Sequence, residues 1–130
     1  MSNTPEVSEL RIVFDEEAIL AYGGIGAGVH SEIEAAAEAG FPGIISWGTA
    51  TMLPFWEILE RIAGVDWLIG GSALVRLTKP VCAGDEVRYS GQEIPGPKGR
   101  RTMELVAETA RHGVVATVHA SIVTVNVTQS

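Results

Sequence analysis

His30 is the residue whose type and position best suit chemistry in this sequence. It follows a loop with four glycines within residues 23–28 and precedes an alanine-rich stretch. Histidine transfers protons near neutral pH. A Gly-Phe-Pro-Gly turn at residues 40–43 then leads to a longer helix that begins near Ser46 to Thr49. The start of a helix presents free N–H groups that stabilise negative charge, so this pairing suits acid–base chemistry beside a carbonyl group.

Composition and charge argue against several classes of function. A net charge of -7 and a pI of about 4.8 argue against binding to nucleic acid, which needs a basic surface. The single cysteine, Cys82, and the absence of a zinc-like Cys/His spacing predict a reducing compartment, no metal and no cofactor. Residues 1–10 lack the features of a signal peptide, and no apolar run reaches the roughly 20 residues of a membrane span. We therefore expect a cytoplasmic protein without membrane contact.

The first third of the sequence predicts a strand and two short helices around the glycine-rich loop. Residues Leu10–Phe14 are predicted to form a strand. Asp15 is predicted to be the N-cap of a helix that runs to about Tyr22. Ser31 is predicted to be the N-cap of the alanine-rich helix, and Glu34 is predicted to complete a capping box with it. His30 is thus expected in a loop between the two helices.

The remaining sequence predicts one long helix followed only by strands. The helix runs to Gly64, and its apolar positions recur at the spacing of one helix face. The predicted strands are Trp67–Thr78, Glu86–Ile94, Thr102–Arg111 and Val114–Val127. A tight turn at His112-Gly113 joins the last two. A strand, helices and then an antiparallel meander predict an α+β fold in a single domain, residues 1–130.

Motifs spread over about residues 10 to 127 are those of one known family. They are Phe14-Asp15-Glu16, Tyr22, Val29-His30-x-Glu32, Ala36 to Phe41-Pro42, Ile45-x-Trp47-Gly48 and Val75-Arg76-Leu77-x-x-Pro80-Val81-x-x-Gly84-Asp85. With them the sequence resembles the MaoC-like dehydratases, the hot-dog group that includes the (R)-specific enoyl-CoA hydratases. The resemblance implies a hot-dog fold, in which an antiparallel sheet wraps around a long central helix, and a dimer with sites at its interface.

The catalytic motif of that family is an aspartate, any residue, Asn-Pro-Ile-His, any residue and Asp. Residues 25–32 align with it as Ile-Gly-Ala-Gly-Val-His-Ser-Glu. His30 matches the catalytic histidine and Glu32 the second acidic position, whereas Ile25 stands where the family has its catalytic aspartate. Trp47-Gly48 replaces the family's His-Gly before the long helix. In the family, the aspartate and histidine hold the water that adds to an enoyl thioester or leaves it, and isoleucine cannot orient water.

Residues around the histidine are candidates for further roles. Gly48 and Thr49 would donate backbone N–H groups to a thioester oxygen; the alternative is an ordinary helix start. Tyr22, Ile25 and Trp47 are candidates for the wall of an acyl pocket; the alternative is that they belong to the core. His30 itself has the alternative of a loop histidine that only hydrogen-bonds to the backbone.

A basic cluster later in the chain is a candidate for binding the phosphates of coenzyme A. Lys98, Arg100 and Arg101 place three of the nine basic residues within four positions of an acidic protein. Charge-assisted hydrogen bonds from such side chains hold phosphate groups. The alternative is a solvated loop.

We interpret the sequence as a hydratase- or dehydratase-type lyase acting on an acyl-CoA-like thioester or a related unsaturated carbonyl compound. His30 would transfer the proton, and because Ile25 replaces the aspartate, isomerisation or elimination of a good leaving group would need fewer groups than hydration. The alternatives are a non-catalytic subunit that pairs with a competent hydratase and, third, an acyl-CoA thioesterase. We expect a homodimer, a higher homo-oligomer or a heteromer with another hot-dog subunit.

The substitution Ile25→Asp tests whether the loop keeps the geometry of a hydratase. The new carboxylate would lie beside His30, so hydration of crotonyl-CoA should appear or rise, while a buried charge lowers stability. The measurement is the loss of enoyl-thioester absorbance, with the unaltered protein and His30→Ala as controls. Appreciable hydration by the unaltered protein would contradict the inference that Ile25 compromises this reaction.

Overall fold

The computed structural model describes residues 7, 9–24 and 26–125. Ile25 and the predicted end of the last strand at Val127 lie outside the described residues. Within the described part, no helix is long and apolar enough to cross a membrane.

The chain forms one antiparallel sheet and four α-helices within its described residues. The strands are β1 Leu10–Phe14, β2 Gly71–Leu77, β3 Asp85–Ile94, β4 Arg100–Thr109 and β5 Gly113–Val123. The helices are α1 Glu16–Gly23, α2 Ile33–Glu38, α3 Gly48–Ala63 and α4 Val65–Gly70, and a 3₁₀ turn spans Gly28–His30. The strand order across the sheet is β1-β3-β4-β5-β2, and every neighbouring pair is antiparallel.

The core lies between the inner face of the sheet and one face of α3. Phe55, Ile58 and Leu59 on α3 are buried against inward-facing residues of β3, β4 and β5. The Tyr89 ring of β3 meets Phe55 edge to face, with centroids 5.1 Å apart, and its hydroxyl donates to the Thr51 carbonyl at 2.7 Å. Burial raises the pKa of Tyr89 well above its ordinary value, so the hydroxyl remains a donor. The predicted architecture, an antiparallel sheet around a long central helix, is confirmed.

The prediction of one long strand from Trp67 to Thr78 was wrong in its first part. Val65–Gly70 is the helix α4, and β2 begins only at Gly71. Gly64, at a φ of 53°, separates α4 from α3. Trp67 packs against Trp56 of α3 with ring centroids 5.4 Å apart, and the Asp66 carboxylate accepts the N–H of Val125 at 3.0 Å. An apolar run without strict alternation is compatible with either a helix or a strand. The contacts of Trp67 and Asp66 with distant residues favour the helix.

The two predicted helix caps had different outcomes. The Asp15 carboxylate accepts the N–H of Ala18 at 2.7 Å, which confirms it as the N-cap of α1. The capping box from Ser31 to Glu34 was wrong, because α2 begins after Glu32 and has no side-chain cap. The Ser31 hydroxyl instead accepts the N–H of Ala27 at 2.7 Å, so it closes the loop before the helix.

Asp85 should contribute more to stability than its exposed neighbour Glu86. The buried carboxylate of Asp85 accepts the N–H of Cys82 at 2.9 Å and Nε–H of Arg111 at 3.2 Å. Asp85→Asn removes the charge and should lower the free energy of unfolding by about 1–3 kcal/mol. The Glu86 carboxylate has one ion-pair partner among the described residues, an exposed contact with Arg11 at 3.6 Å, so Glu86→Gln should change the free energy of unfolding by less than about 0.5 kcal/mol. Urea unfolding of both variants measures the difference in the free energy of unfolding. Equal losses in the two variants would contradict the larger contribution assigned to Asp85.

Candidate active site

The loop that carries His30 is closed by its own hydrogen bonds. The Gly28 carbonyl accepts the N–H groups of Ser31 and Glu32 at 3.0 and 2.7 Å. Gly28 has a φ of 59°, a left-handed conformation that favours glycine. His30, at the end of the 3₁₀ turn, is consequently held half-buried rather than extended into solvent.

Ile45 determines which ring nitrogen of His30 is available. Its N–H donates to the Val29 carbonyl at 3.0 Å, and its own carbonyl lies 2.9 Å from His30 Nδ1. Because a carbonyl oxygen only accepts, Nδ1 must carry the proton, and the neutral ring then has Nε2 as its basic nitrogen. Nε2 makes no hydrogen bond to any residue in the part of the chain that the structure describes.

The segment that contains Ile45 is also fixed on its other side. The N–H of Ser46 donates to the Val81 carbonyl at 2.8 Å, and the N–H of Ala83 donates to the Ile44 carbonyl at 2.8 Å. This segment leads directly into α3, so His30 and the start of α3 have a fixed relation. Sequence reasoning did not find the role of Ile45, because it acts through its backbone carbonyl and its side chain gives no signal.

Trp47, predicted as a pocket wall, lies on the face of the His30 ring. The two ring centroids are 4.0 Å apart and the ring planes differ by 16°. The indole also contacts Gly23 at the end of α1, where a Cβ atom would overlap it. Indole Nε1 is buried and has no hydrogen-bond partner among the described residues. The structure therefore brings His30 and Trp47 together.

Gly48 and Thr49 are the first two residues of α3, as predicted for N–H donors. Within the described residues, the N–H groups of Gly48, Thr49 and Ala50 have no hydrogen-bond partner, whereas Thr51 begins the helical pattern by donating to the Trp47 carbonyl at 3.0 Å. No described side chain caps this end of the helix. It therefore offers donors and a favourable dipole to a negatively charged oxygen.

Tyr22 lies beside the same helix start. Its hydroxyl donates to the Thr49 hydroxyl oxygen at 2.8 Å, and half of its surface remains exposed to solvent, at 50%. The phenol thus borders an open region next to the first turn of α3. Ile25, the remaining predicted wall residue, lies outside the described residues.

The basic cluster lies at the opposite end of α3. Arg101 contacts the Ile62 carbonyl at 3.4 Å and pairs with Glu93 at 3.0 and 3.1 Å, which lowers the pKa of Glu93. With a rise of 1.5 Å per residue, Ile62 is about 20 Å along the helix from Gly48. Lys98 lies just before β4 and Arg100 is the first residue of that strand, and both are exposed. Within one chain the cluster is not beside His30, and its role in binding phosphate stays a prediction.

No carboxylate lies beside His30 among the described residues. None lies within 4.0 Å of the His30 ring nitrogens, and Glu32 is exposed at the start of α2. The described residues also contain no group of three potential metal ligands. The described arrangement therefore combines a histidine suited to proton transfer with N–H groups suited to an oxyanion, without a carboxylate beside the histidine.

A concavity of the described chain lies elsewhere, on the outer face of the sheet. It has a volume of about 660 Å³ and contains none of the predicted site residues. Its charged lining residues are Glu9, Arg76, Arg88, Glu104 and His119. This concavity is therefore separate from the site around His30.

Comparison with solved structures identifies the fold. The chain superposes on a chain of the ChsH1-ChsH2 complex from Mycobacterium tuberculosis with a TM-score of 0.78 and 20% identity, covering 94% of this chain and 97% of that one. It matches the (R)-hydratase from A. caviae, described as involved in PHA biosynthesis, with a TM-score of 0.76 and 17% identity over 96% and 98% of the two chains. The MaoC-like dehydratase from Rhodospirillum rubrum matches with a TM-score of 0.70 and 20% identity, covering 99% of this chain and 96% of that one.

These similarities confirm the hot-dog fold predicted from the motifs, and the solved neighbours include MaoC-like dehydratases and (R)-hydratases. No family model matches the chain, and no curated protein matches it in sequence.

Proposed function

We propose that this protein is a hydratase- or dehydratase-type lyase acting on an acyl-CoA-like thioester or a related unsaturated carbonyl compound. The observation that carries the proposal is the hydrogen bond from His30 Nδ1 to the Ile45 carbonyl at 2.9 Å. It leaves Nε2 as the proton-transferring atom, in a segment fixed to the uncapped start of α3. Similarity of fold to hydratases and dehydratases supports the same chemistry.

The proposed reaction begins with removal of a proton from the carbon next to the thioester carbonyl by His30 Nε2. The electron pair of the broken C–H bond moves toward the carbonyl, and the oxygen becomes negatively charged. The N–H groups of Gly48 and Thr49 stabilise that charge, a contribution that typically matters most in the transition state. Departure of a leaving group from the adjacent carbon then forms the double bond, and the leaving group takes the proton from His30.

Two features favour a reaction that needs one acid/base group. Ile25 occupies the position of the family's aspartate, and none of the described carboxylates pairs with His30. Isomerisation requires only that His30 return the proton to a different carbon. Elimination of a stable leaving group likewise needs no second group to protonate it, whereas addition of water requires the water to be oriented and deprotonated.

A non-catalytic subunit is the second candidate function. The lack of a described carboxylate beside His30 favours it, and one structural neighbour is a chain of a complex of two different proteins, ChsH1 and ChsH2. In that case a competent hot-dog partner would carry the complete pair of catalytic side chains. A thioesterase is the third candidate; such enzymes of this fold generally use a carboxylate.

We also propose that two hot-dog chains pair along β2. This strand is one edge of the sheet, and unpaired backbone groups at an edge favour association. Exposed apolar side chains adjoin it: Leu74 and Leu77 on β2 are 59% and 46% exposed, and Leu68 and Ile69 on α4 are 65% and 68% exposed. Leu77 also contacts Gly48, so this edge borders the candidate site.

The β2 edge can be compared with the β1 edge by matched substitutions. Leu74→Lys should convert the dimer to a monomer at micromolar concentration, because it places a charge in the proposed interface. Val13→Lys, at a position on β1 that is 53% exposed, should leave the dimer intact. Sedimentation velocity measures both. A monomeric unaltered protein, or a dimer that only Val13→Lys dissociates, would contradict pairing along β2.

His30→Ala should abolish turnover while the fold persists. Loss of an acid/base group typically costs about 10²–10⁴ in rate, whereas loss of one hydrogen bond costs only about 1 kcal/mol of stability. His119→Ala, an exposed histidine paired with Glu104 on the outer face, is the control and should retain activity. Turnover of enoyl- and 3-hydroxyacyl-CoA thioesters and thermal unfolding are measured together. Full activity combined with a large loss of stability would identify His30 as structural.

A further inference from the structure

We propose that Trp47 is a positioning residue for His30, holding the imidazole ring so that Nδ1–H stays on the Ile45 carbonyl and Nε2 stays free. The inference rests on the proposed proton-transfer role of His30. In this proposal Trp47 affects the reaction by orienting His30 and does not contact the substrate.

The stack and the hydrogen bond constrain different motions of the imidazole. The bond from Nδ1 to the Ile45 carbonyl, at 2.9 Å, selects one edge of the ring. The indole, with its centroid 4.0 Å from that of the imidazole and its plane within 16°, restricts rotation about the Cβ–Cγ bond. Turning the ring through a perpendicular orientation would push its edge into the indole face, because the centroid spacing is already that of packed aromatic rings.

A ring flip would remove the proposed chemistry. It would exchange Nδ1 with a carbon, break the bond to Ile45 and place Nε2 elsewhere. Reaction depends on reacting atoms held within a fraction of an ångström, and a displacement of about 1 Å costs on the order of 10² in rate. Holding the ring plane is therefore a direct contribution to the proton transfer.

Gly23 gives independent support for the indole position. It is the last residue of α1, and its φ is not in the left-handed region, so its backbone does not require glycine. A Cβ at this position would overlap the indole of Trp47. Glycine at residue 23 is thus explained by the ring that must pass over it. The indole nitrogen is buried and has no hydrogen-bond partner among the described residues. Trp47 therefore acts on His30 through the packing of its ring.

The first test observes the His30 ring by ¹⁵N NMR. Long-range ¹H–¹⁵N correlations distinguish the two neutral tautomers, and the signals that disappear in His30→Ala identify this histidine among the three in the chain. The unaltered protein and Trp47→Phe should show the Nδ1–H tautomer at a pH where the ring is neutral. Trp47→Leu should shift the ring toward the Nε2–H tautomer, which the side chain of free histidine favours in water. An unchanged Nδ1–H pattern in Trp47→Leu overturns the proposal.

Gly23→Ala displaces the indole without altering either ring. Its matched control is Gly43→Ala, where the added Cβ would meet only the Ala83 Cβ at an ordinary 3.6 Å. Gly23→Ala should disturb the His30 tautomer and Gly43→Ala should not. This pair decides the question if Trp47→Leu fails to fold, and identical His30 spectra in the two alanine variants would overturn the proposal.

Kinetic measurements distinguish a Trp47 that positions His30 from a Trp47 that forms a wall of the substrate pocket. Trp47→Leu should lower kcat by about 10²-fold with a smaller change in KM, and Trp47→Phe should restore most of the loss. A rise in KM with kcat unchanged would overturn the proposal in favour of a wall. If the unaltered protein turns over no thioester, the proposed function fails, and the NMR comparison still decides whether Trp47 positions His30.

Discussion

The burial of one face of α3 against one face of the sheet is the constraint on which the rest of the structure depends. A sheet whose inner side chains are apolar cannot leave that face in water, and burial of a large apolar side chain contributes about 1.5–3 kcal/mol. Phe55, Ile58 and Leu59 supply the complementary surface. The Tyr89 hydroxyl adds a hydrogen bond to the backbone of α3 at 2.7 Å. This bond ties β3 to the first turns of the helix, so the position of the helix start follows from the core.

The candidate site is a consequence of where α3 begins. The residues just before it are held between the 81–83 segment and the His30 loop by backbone hydrogen bonds on both sides. Backbone bonds of this kind do not depend on side-chain rotamers, and they fix the histidine relative to the free N–H groups of α3. Burial of the core therefore determines where chemistry can take place, although none of its side chains takes part.

Apolar packing dominates the described surroundings of His30. The motif comparison sets Ile25 and Trp47 against an aspartate and a histidine of the resembled family, and the structure describes only Trp47 of the two. The stacked indole fills the space on one face of His30, and no described carboxylate approaches the ring. Among the described residues, His30 thus combines apolar packing on one ring face with no carboxylate neighbour. Such surroundings suit a reaction in which one proton moves, since every additional ionised group would need its own buried partner.

The sequence by itself determined the elements with strong local signals. Alternating strands, the Asp15 cap and the apolar face of α3 act over short distances, so propensity and periodicity predicted them, and the motifs predicted the hot-dog fold. His30, Gly48 and Thr49 were selected on the same motifs, and the structure places them at the histidine loop and the helix start.

Only the tertiary structure decided what depends on distant partners. Val65–Gly70 became a helix because Trp67 packs on Trp56 and Asp66 binds the N–H of Val125, which is 59 residues away in sequence. The tautomer of His30 depends on the carbonyl of Ile45, and its ring plane on the indole of Trp47. A backbone carbonyl is present at every residue and a stack leaves no sequence pattern, so neither is visible before the chain is folded.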